Sequence, residues 1–269
     1  MKKIFRVLSY LWKTSICPWR SVSGIEALQS AQVFSRSYKE TSSEEACLVD
    51  KAENVLWEYF QGHKQGPGIW KWEHYFDIYH RHFSRFIGRK VNVLEIGVYS
   101  GGSLQMWKKY FGEESHIYGV DIEQSVKAYE GENISVVIGD QKDRGFWRAF
   151  KQNTPKIDIL IDDGGHSPEE QQITLEEMLP HLRPGGIYVC EDIHGINNRF
   201  CDFACGLVRE LNQIRYIPAH GLQSGVSRFQ AAIHSMHFYP YLLVIEKHQN
   251  RPVKYSAPKH GTEWQPFMG

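Results

Sequence analysis

The chain has 269 residues, 42% of them hydrophobic and 23% charged, and its 31 Lys+Arg balance its 31 Asp+Glu. This is the composition of a globular protein with one sizeable core, and it excludes disordered and fibrous chains. Zero net charge gives no general attraction to DNA or RNA, and no stretch is long and apolar enough to span a bilayer.

The opening MKKIFRVLSYLWKTSICPWR resembles a signal peptide only superficially, because Arg6 and Lys13 interrupt a short apolar run and no small-residue cleavage site follows clearly. Ile4, Phe5, Leu8, Leu11 and Trp12 share one helical face, which predicts an accessory helix packed on the domain or on a second subunit; weak attachment to a membrane surface is the alternative. A homo-oligomer is compatible with this segment. Residues 14–50 are rich in Ser, Glu and Ala and read as a connecting or capping region. Cys17, Cys47, Cys190, Cys201 and Cys205 have neither the density nor the spacing of a disulfide scaffold or zinc site, so a reducing, cytoplasmic setting is expected. Cys201 and Cys205 lie one helical turn apart and are expected as buried small side chains rather than as a soft-metal pair with His194.

After the loop QGHKQGPGIW, the run KWEHYFDIYHRHFSRFIG spaces Trp72, Tyr75, Tyr79, Phe83 and Phe86 as on a helix. Then VNVLEIG, HIYGVD, NISVVIGD, IDILIDD and GGIYVCED recur as short apolar runs with room for helices between them, the alternation of a mostly parallel sheet covered on both faces. Ser167, Pro168 and Glu170 have the logic of a helix start, and RPGG after Leu182 of a stop. Residues 203–214 read as a helix, and AAIHSMHFYPYLLVIEKH as two strands joined at Tyr239 and Pro240. The expected fold is α/β: a doubly wound, mostly parallel seven-stranded sheet ending in an antiparallel hairpin. The expected divisions are an accessory segment over residues 1–69, the cofactor-binding domain over 70–250 and a tail over 251–269.

The segment LEIGVYSGGSLQMW places Glu95, Gly97, Gly101 and Gly102 at the carboxyl end of the first strand, where open α/β sheets hold ligands. The dinucleotide fingerprint is broken by Tyr99, and no Lys-Ser or Lys-Thr pair follows as in a phosphate loop, so NAD and nucleoside triphosphates are disfavoured. Asp121 ends the second strand, where it can accept from both ribose hydroxyls. Asp140 and Gln141 end the third, facing the adenine edge, and Glu95 is placed for the amino group of a methionine moiety. With Tyr99, Ser100, Gly101, Ser103 and Asp162, these residues are assigned to S-adenosylmethionine.

IDILIDDGGHS and YVCEDIH end adjacent strands, so Asp162, Asp163, Glu191 and Asp192 crowd one cleft with His166 and His194. Such repulsion is relieved by a divalent cation, and all-oxygen donors favour Mg²⁺ over zinc. Asp163, Glu191 and Asp192 are the expected ligands. The metal and Asp163 activate a hydroxyl of a small-molecule acceptor, and His166 is the expected general base. The competing reading makes Asp162 and Asp192 caps or loop acceptors.

At these residues the chain resembles the class I S-adenosylmethionine-dependent methyltransferases, and within them the magnesium-dependent sugar O-methyltransferases of macrolide biosynthesis and the related cephalosporin hydroxylase-like proteins. The resemblance covers roughly residues 70–247, through KWEHYFDIYHRHF, LEIGVYSGGSLQMW, GVDI, IDDGGH, LRPGGIYVCEDIH and SMHFYPYLLVIEK. It implies a Rossmann-like methyltransferase fold, cofactor contacts at Glu95 and Asp121, magnesium at Asp163, Glu191 and Asp192, and His166 as base. The macrolide enzymes carry a substantial N-terminal region for which no counterpart is expected here, and on that expectation acceptor identity does not transfer. INNRFCDFACG and HGLQSGVSRFQ are the segments expected to shape the acceptor site. A metal-assisted hydroxylase or hydrolase, and a binding protein without turnover, are the alternatives.

Overall fold

The computed structural model describes residues 24–38, 54–195, 198–213, 215–216, 223–258 and 260–261. The amphipathic face expected over residues 4–12 lies outside them, as do parts of both segments expected to shape the acceptor site. The chain divides into two compact units, residues 1–51 and 52–269. In the first, the described element is the helix α1 (Gly24–Ser37).

The second unit is built on seven strands: β1 (Asn92–Ile96), β2 (His116–Asp121), β3 (Ile134–Ile138), β4 (Ile157–Asp162), β5 (Leu182–Cys190), β8 (Ile233–Tyr239) and β9 (Leu242–Lys247). Their order is β3-β2-β1-β4-β5-β9-β8. The first five run parallel, β9 runs antiparallel to β5, and β8 closes the hairpin. The doubly wound sheet and reversed ending expected from the sequence are therefore present. Two short strands, β6 (Arg215–Tyr216) and β7 (Gln223–Gly225), pair with β10 (Lys254–Ser256) in a separate three-stranded sheet. Runs this short carry no period for a sequence pattern to reveal.

Alternation along the strands explains why both faces are covered. Val93, Ile117, Val136, Ile159 and Ile187 face one side and Leu94, Val120, Leu160 and Tyr188 the other, all buried, because successive side chains of a strand point to opposite faces. The first face packs against α2 (Val55–Gly62), α3 (Tyr75–Phe83) and α4 (Gly102–Phe111), through Leu56, Phe76, Tyr79 and Trp107. The second packs against α5 (Arg144–Asn153), α6 (Pro168–Met178) and α7 (Arg199–Leu211), through Trp147, Phe150, Leu175 and Phe200. A short helix, α8 (Arg228–Ala232), leads into β8.

The expected start of α6 is present in full: Ser167 and Glu170 form a reciprocal capping box with Pro168 in the first turn. Leu56 of α2 is fully buried in the sheet's core cluster, so α2 belongs to the second unit. Two expectations are corrected. The helix expected from Lys71 begins only at Tyr75, because the preceding residues turn their side chains into the cleft described below. Cys205 is exposed and Cys201 half-buried, since their helix turns Phe200 and Ala204 inward instead. Among the described residues, no helix is long and apolar enough to cross a membrane.

A polar network ties the end of α3 and the turn after it to the antiparallel end of the sheet. His82 Nδ1 lies 2.6 Å from Glu246 Oε1, and the Arg85 guanidinium donates to Glu246 Oε2 at 3.1 Å. The His82 hydrogen bond, with Arg85, holds the Glu246 carboxyl down to about 2. A depressed folded-state pKa stabilises above the ordinary carboxylate range and is lost as the pH falls toward the folded value. Glu246→Gln should therefore destabilise the protein by about 2 kcal/mol at neutral pH. The difference from wild type in urea unfolding should shrink as the pH is lowered from 5 toward about 2; a pH-independent difference would assign the effect to packing.

Candidate active site

The carboxyl ends of β1 to β5 open into a cavity of about 960 Å³, walled on its other side by residues 68–73. The backbone there is unusually strained. Of the described non-glycine residues with positive φ, Tyr99, His166 and Asp192 line the cavity and Tyr241 packs beside it. Such conformations cost on the order of 1–3 kcal/mol each and persist where surrounding structure enforces them, commonly at functional sites. Gly97 (φ 87°) has no room for a side chain because its Cβ would run into the carbonyl of Asp163. The glycine loop and the acidic loop after β4 thus touch backbone to backbone.

In the half expected to hold a cofactor, Tyr99, Ser100 and Ser103 line the cavity, and Gly101 caps α4 in the left-handed conformation. Asp121 also lines it, with Oδ2 accepting from the Val98 and Tyr99 amides at 2.8 and 3.0 Å and Oδ1 from the Glu123 amide at 2.9 Å. Each carboxylate oxygen has two lone pairs, so Asp121 fixes the loop and retains acceptor capacity toward a ligand. Asp140 is on the cavity wall and holds the following turn through the Lys142 amide.

Three of the residues assigned to the cofactor sit differently from expectation. The Gln141 side chain reaches the cavity wall but is engaged on three sides: its amide donates to Asp162 and Thr174, and its oxygen accepts from the Gly165 amide at 2.7 Å. Asp162 is buried, accepting from Gln141 and Tyr188, and is not on the cavity wall. Burial pushes its carboxyl up to about 7. As strand neighbours, Asp162 and Asp163 point to opposite sides. Gln141 and Asp162 thus brace the loop that carries Gly165 and His166. Glu95 is fully buried beneath the cavity wall, accepting from Ser103 Oγ at 2.5 Å.

What covers Glu95 is Lys71. Its ammonium lies 3.2 Å from Glu95 Oε1, 2.6 Å from Asp163 Oδ2 and 3.1 Å from Glu191 Oε1, on a side chain only 2% exposed. Burial lowers the Lys71 pKa, but the Asp163, Glu191 and Glu95 carboxylates outweigh it and hold the group charged, well above the ordinary lysine range. Glu191 also accepts from Tyr79 at 2.6 Å. Burial, reinforced by Asp163, drives the Glu191 carboxyl well up. Asp192 accepts from Trp72 Nε1 at 2.9 Å and from the Tyr75 hydroxyl at 3.0 Å.

His166 completes the cluster. Its Nε2 is 3.8 Å from Asp163 Oδ1 and 3.7 Å from Asp192 Oδ2, and its buried Nδ1 has no hydrogen-bond partner. Those distances are too long for hydrogen bonds and suit groups arranged about a shared ion or a substrate atom. Asp163, His166 and Asp192 offer ligand atoms all within 4.8 Å of one another. Of the three expected metal ligands, two are therefore grouped with His166, while Glu191 is engaged by Lys71 and Tyr79. Asp163 and Asp192 present carboxylate oxygens to the cavity beside His166, donors that fit a hard divalent cation. His194 lines the same cavity.

Lys71, Trp72, Tyr75 and Tyr79 were not recognised in the sequence as site residues. The spacing of Trp72, Tyr75 and Tyr79 fits an ordinary helix face, and nothing local marks a lysine whose partners lie 24 to 120 positions away. Replacing Lys71 by Met should leave the buried Glu95 and Glu191 and the half-buried Asp163 without their counter-charge and lower the unfolding free energy by about 3–5 kcal/mol. Urea unfolding in the presence of chelator measures this, and a loss below about 1 kcal/mol would show that water or relaxation replaces the ammonium.

With this geometry in place, comparison with known proteins is informative. Residues 94–193 match the Methyltransf_24 family, a methyltransferase domain. The 8-demethyl-8-alpha-L-rhamnosyl tetracenomycin-C 2'-O-methyltransferase of Streptomyces olivaceus is 32% identical over 206 residues, covering 70% of this chain and 53% of that protein. The demethylmacrocin O-methyltransferase of Streptomyces fradiae is 42% identical over 122 residues, 43% of this chain and 30% of its own length. The structure of MycE methyltransferase from the mycinamycin biosynthetic pathway, in complex with Mg, SAH and mycinamycin VI, superimposes with a TM-score of 0.59 at 27% identity, covering 72% of this chain and 53% of that one. The chain thus spans about half or less of the length of these relatives. Residues 94–193 form a methyltransferase domain of this family, carried on a Rossmann-like sheet similar to that of MycE.

Proposed function

We propose that this chain transfers the methyl group of S-adenosylmethionine to a hydroxyl of a small glycosylated molecule, with a divalent cation, Mg²⁺, at the acidic cluster. The observation that carries the reading is the meeting of the glycine loop with the Asp163–His166 loop at Gly97, which sets the cofactor half of the cavity directly against the acidic half. The sugar O-methyltransferase names of the relatives and the Mg and SAH of the MycE complex support it. Balanced net charge also favours a small acceptor over nucleic acid, and free Cys190, Cys201 and Cys205 agree with a cytoplasmic, reducing setting.

In this reading Asp121 and the amides around Tyr99 orient the adenosine end, with Ser100 and Asp140 on the same wall. Asp163, Glu191 and Asp192 would hold the cation, Glu191 by exchanging some of its contact with Lys71. A cation held there would supply Lewis-acid chemistry, lowering the pKa of the acceptor hydroxyl. His166 accepts the hydroxyl proton at Nε2 as the oxygen–carbon bond forms and the carbon–sulfur bond breaks, and the nearby carboxylates stabilise the resulting imidazolium. The Gln141–Asp162 brace holds the histidine loop in its positive-φ conformation.

Calorimetric titration should give S-adenosylmethionine binding and no NAD binding. With a panel of hydroxylated glycosides, the product should be heavier by one methyl group and its formation should cease with chelator. His166→Ala should lower kcat by about 10²–10⁴-fold with little change in S-adenosylmethionine affinity. Equal losses in both would make His166 structural, and NAD binding in place of S-adenosylmethionine would overturn the proposal.

A further inference from the structure

The six residues 68–73 all line the cavity, yet their side chains part in two directions. Lys71 turns down among the carboxylates, while its neighbours Trp70 and Trp72 remain 85% and 49% exposed. Such surfaces are costly to leave in water, and Trp72 is also held in place. Its indole N–H donates to Asp192 Oδ1 at 2.9 Å, and its ring lies 5.5 Å from that of Tyr241 at an interplanar angle of 45°. Tyr241 is fixed in turn through its backbone: its carbonyl accepts from the Ile193 amide at 2.9 Å and from the Tyr75 hydroxyl at 3.1 Å, and its φ is 62°. The His194 ring stands 6.1 Å from that of Tyr241, edge to face.

Exposed rings with immobilised frames bind flat apolar groups at low entropic cost. Their position is informative, because the carboxylate that orients Trp72 has its other oxygen 3.7 Å from His166 Nε2. We propose that Trp72 and Tyr241 form the acceptor platform, receiving a flat aromatic aglycone joined to the sugar whose hydroxyl is placed beside His166. This rests on the methyltransferase reading given above and adds to it the chemical class of the group next to the sugar. Trp72 is a specificity-determining residue here. Its Asp192 bond couples the seating of the aglycone to the carboxylates facing the reacting hydroxyl.

The test uses the full chain with Mg²⁺ and S-adenosylhomocysteine, and two probes that share one sugar: p-nitrophenyl and methyl α-L-rhamnopyranoside. Binding is followed by calorimetry and by fluorine NMR of protein labelled with 5-fluorotryptophan, the Trp72 resonance being the one lost in Trp72→Phe. The wild type should bind the nitrophenyl glycoside about ten-fold more tightly than the methyl glycoside, equivalent to about 1.4 kcal/mol, and the Trp72 resonance should shift with the nitrophenyl probe. Trp72→Ala should abolish that preference and Trp72→Phe retain most of it, with S-adenosylhomocysteine affinity unchanged in both as the check on folding. A preference that survives in Trp72→Ala, a Trp72 resonance that does not move, or wild type that binds S-adenosylhomocysteine but neither glycoside would overturn the platform and leave the methyltransferase reading standing. Failure of wild type to bind S-adenosylhomocysteine would overturn that reading, and the platform with it.

Discussion

One buried ammonium among carboxylates underlies the architecture of the cleft. Lys71 contacts Glu95 from β1, Asp163 from the end of β4 and Glu191 from the end of β5, so a single charge joins three strands and the segment 68–73 that covers them. Like charges this close could not share a dry site without it. The same contact anchors the chain between α2 and α3, and with it the two tryptophans that flank Lys71.

Polar bracing around this centre sorts the acidic residues into different tasks. Asp162 is turned into the core and holds Gln141 and Tyr188, while Asp163, one residue later, faces the cavity. Glu191 is buried with Lys71 and Tyr79, while Asp192 meets Trp72, Tyr75 and His166. Strand alternation makes these divisions, and the positive φ of His166 and Asp192 shows where the backbone departs from its easy conformations to aim them. The hydroxyls of Tyr75 and Tyr79 stay protonated, because burial raises both, and so serve as donors that hold the carboxylates in place.

The three-stranded sheet of β6, β7 and β10 and the helix α7 lie along the later part of the chain. The sheet order places β4 and β5 at the centre of the cleft and β9 beside them, which brings Tyr241 of the terminal hairpin next to the acidic end of β5. The reversed hairpin therefore supports Trp72 and Tyr75 beside the cleft as well as closing the sheet.

Much of this was legible in the amino-acid sequence. The alternating apolar runs, the Ser167–Glu170 capping box, the terminal hairpin and the acids at the strand ends are local patterns, with periods or short spacings that the chain carries within a few residues. Sequence by itself determined a doubly wound sheet with a glycine loop at β1 and a concentration of carboxylates at β4 and β5. Tertiary structure alone decided which way each acid turns: Glu95 under Lys71, Asp162 into the core, Glu191 to a lysine and a tyrosine. It also decided that a helix-like run of aromatics begins as an irregular segment with Lys71 and Trp72 in the cleft. The reason is physical: a side chain's partners across the sheet are set by register and by the desolvation of charges, and neither is written within the reach of a local motif.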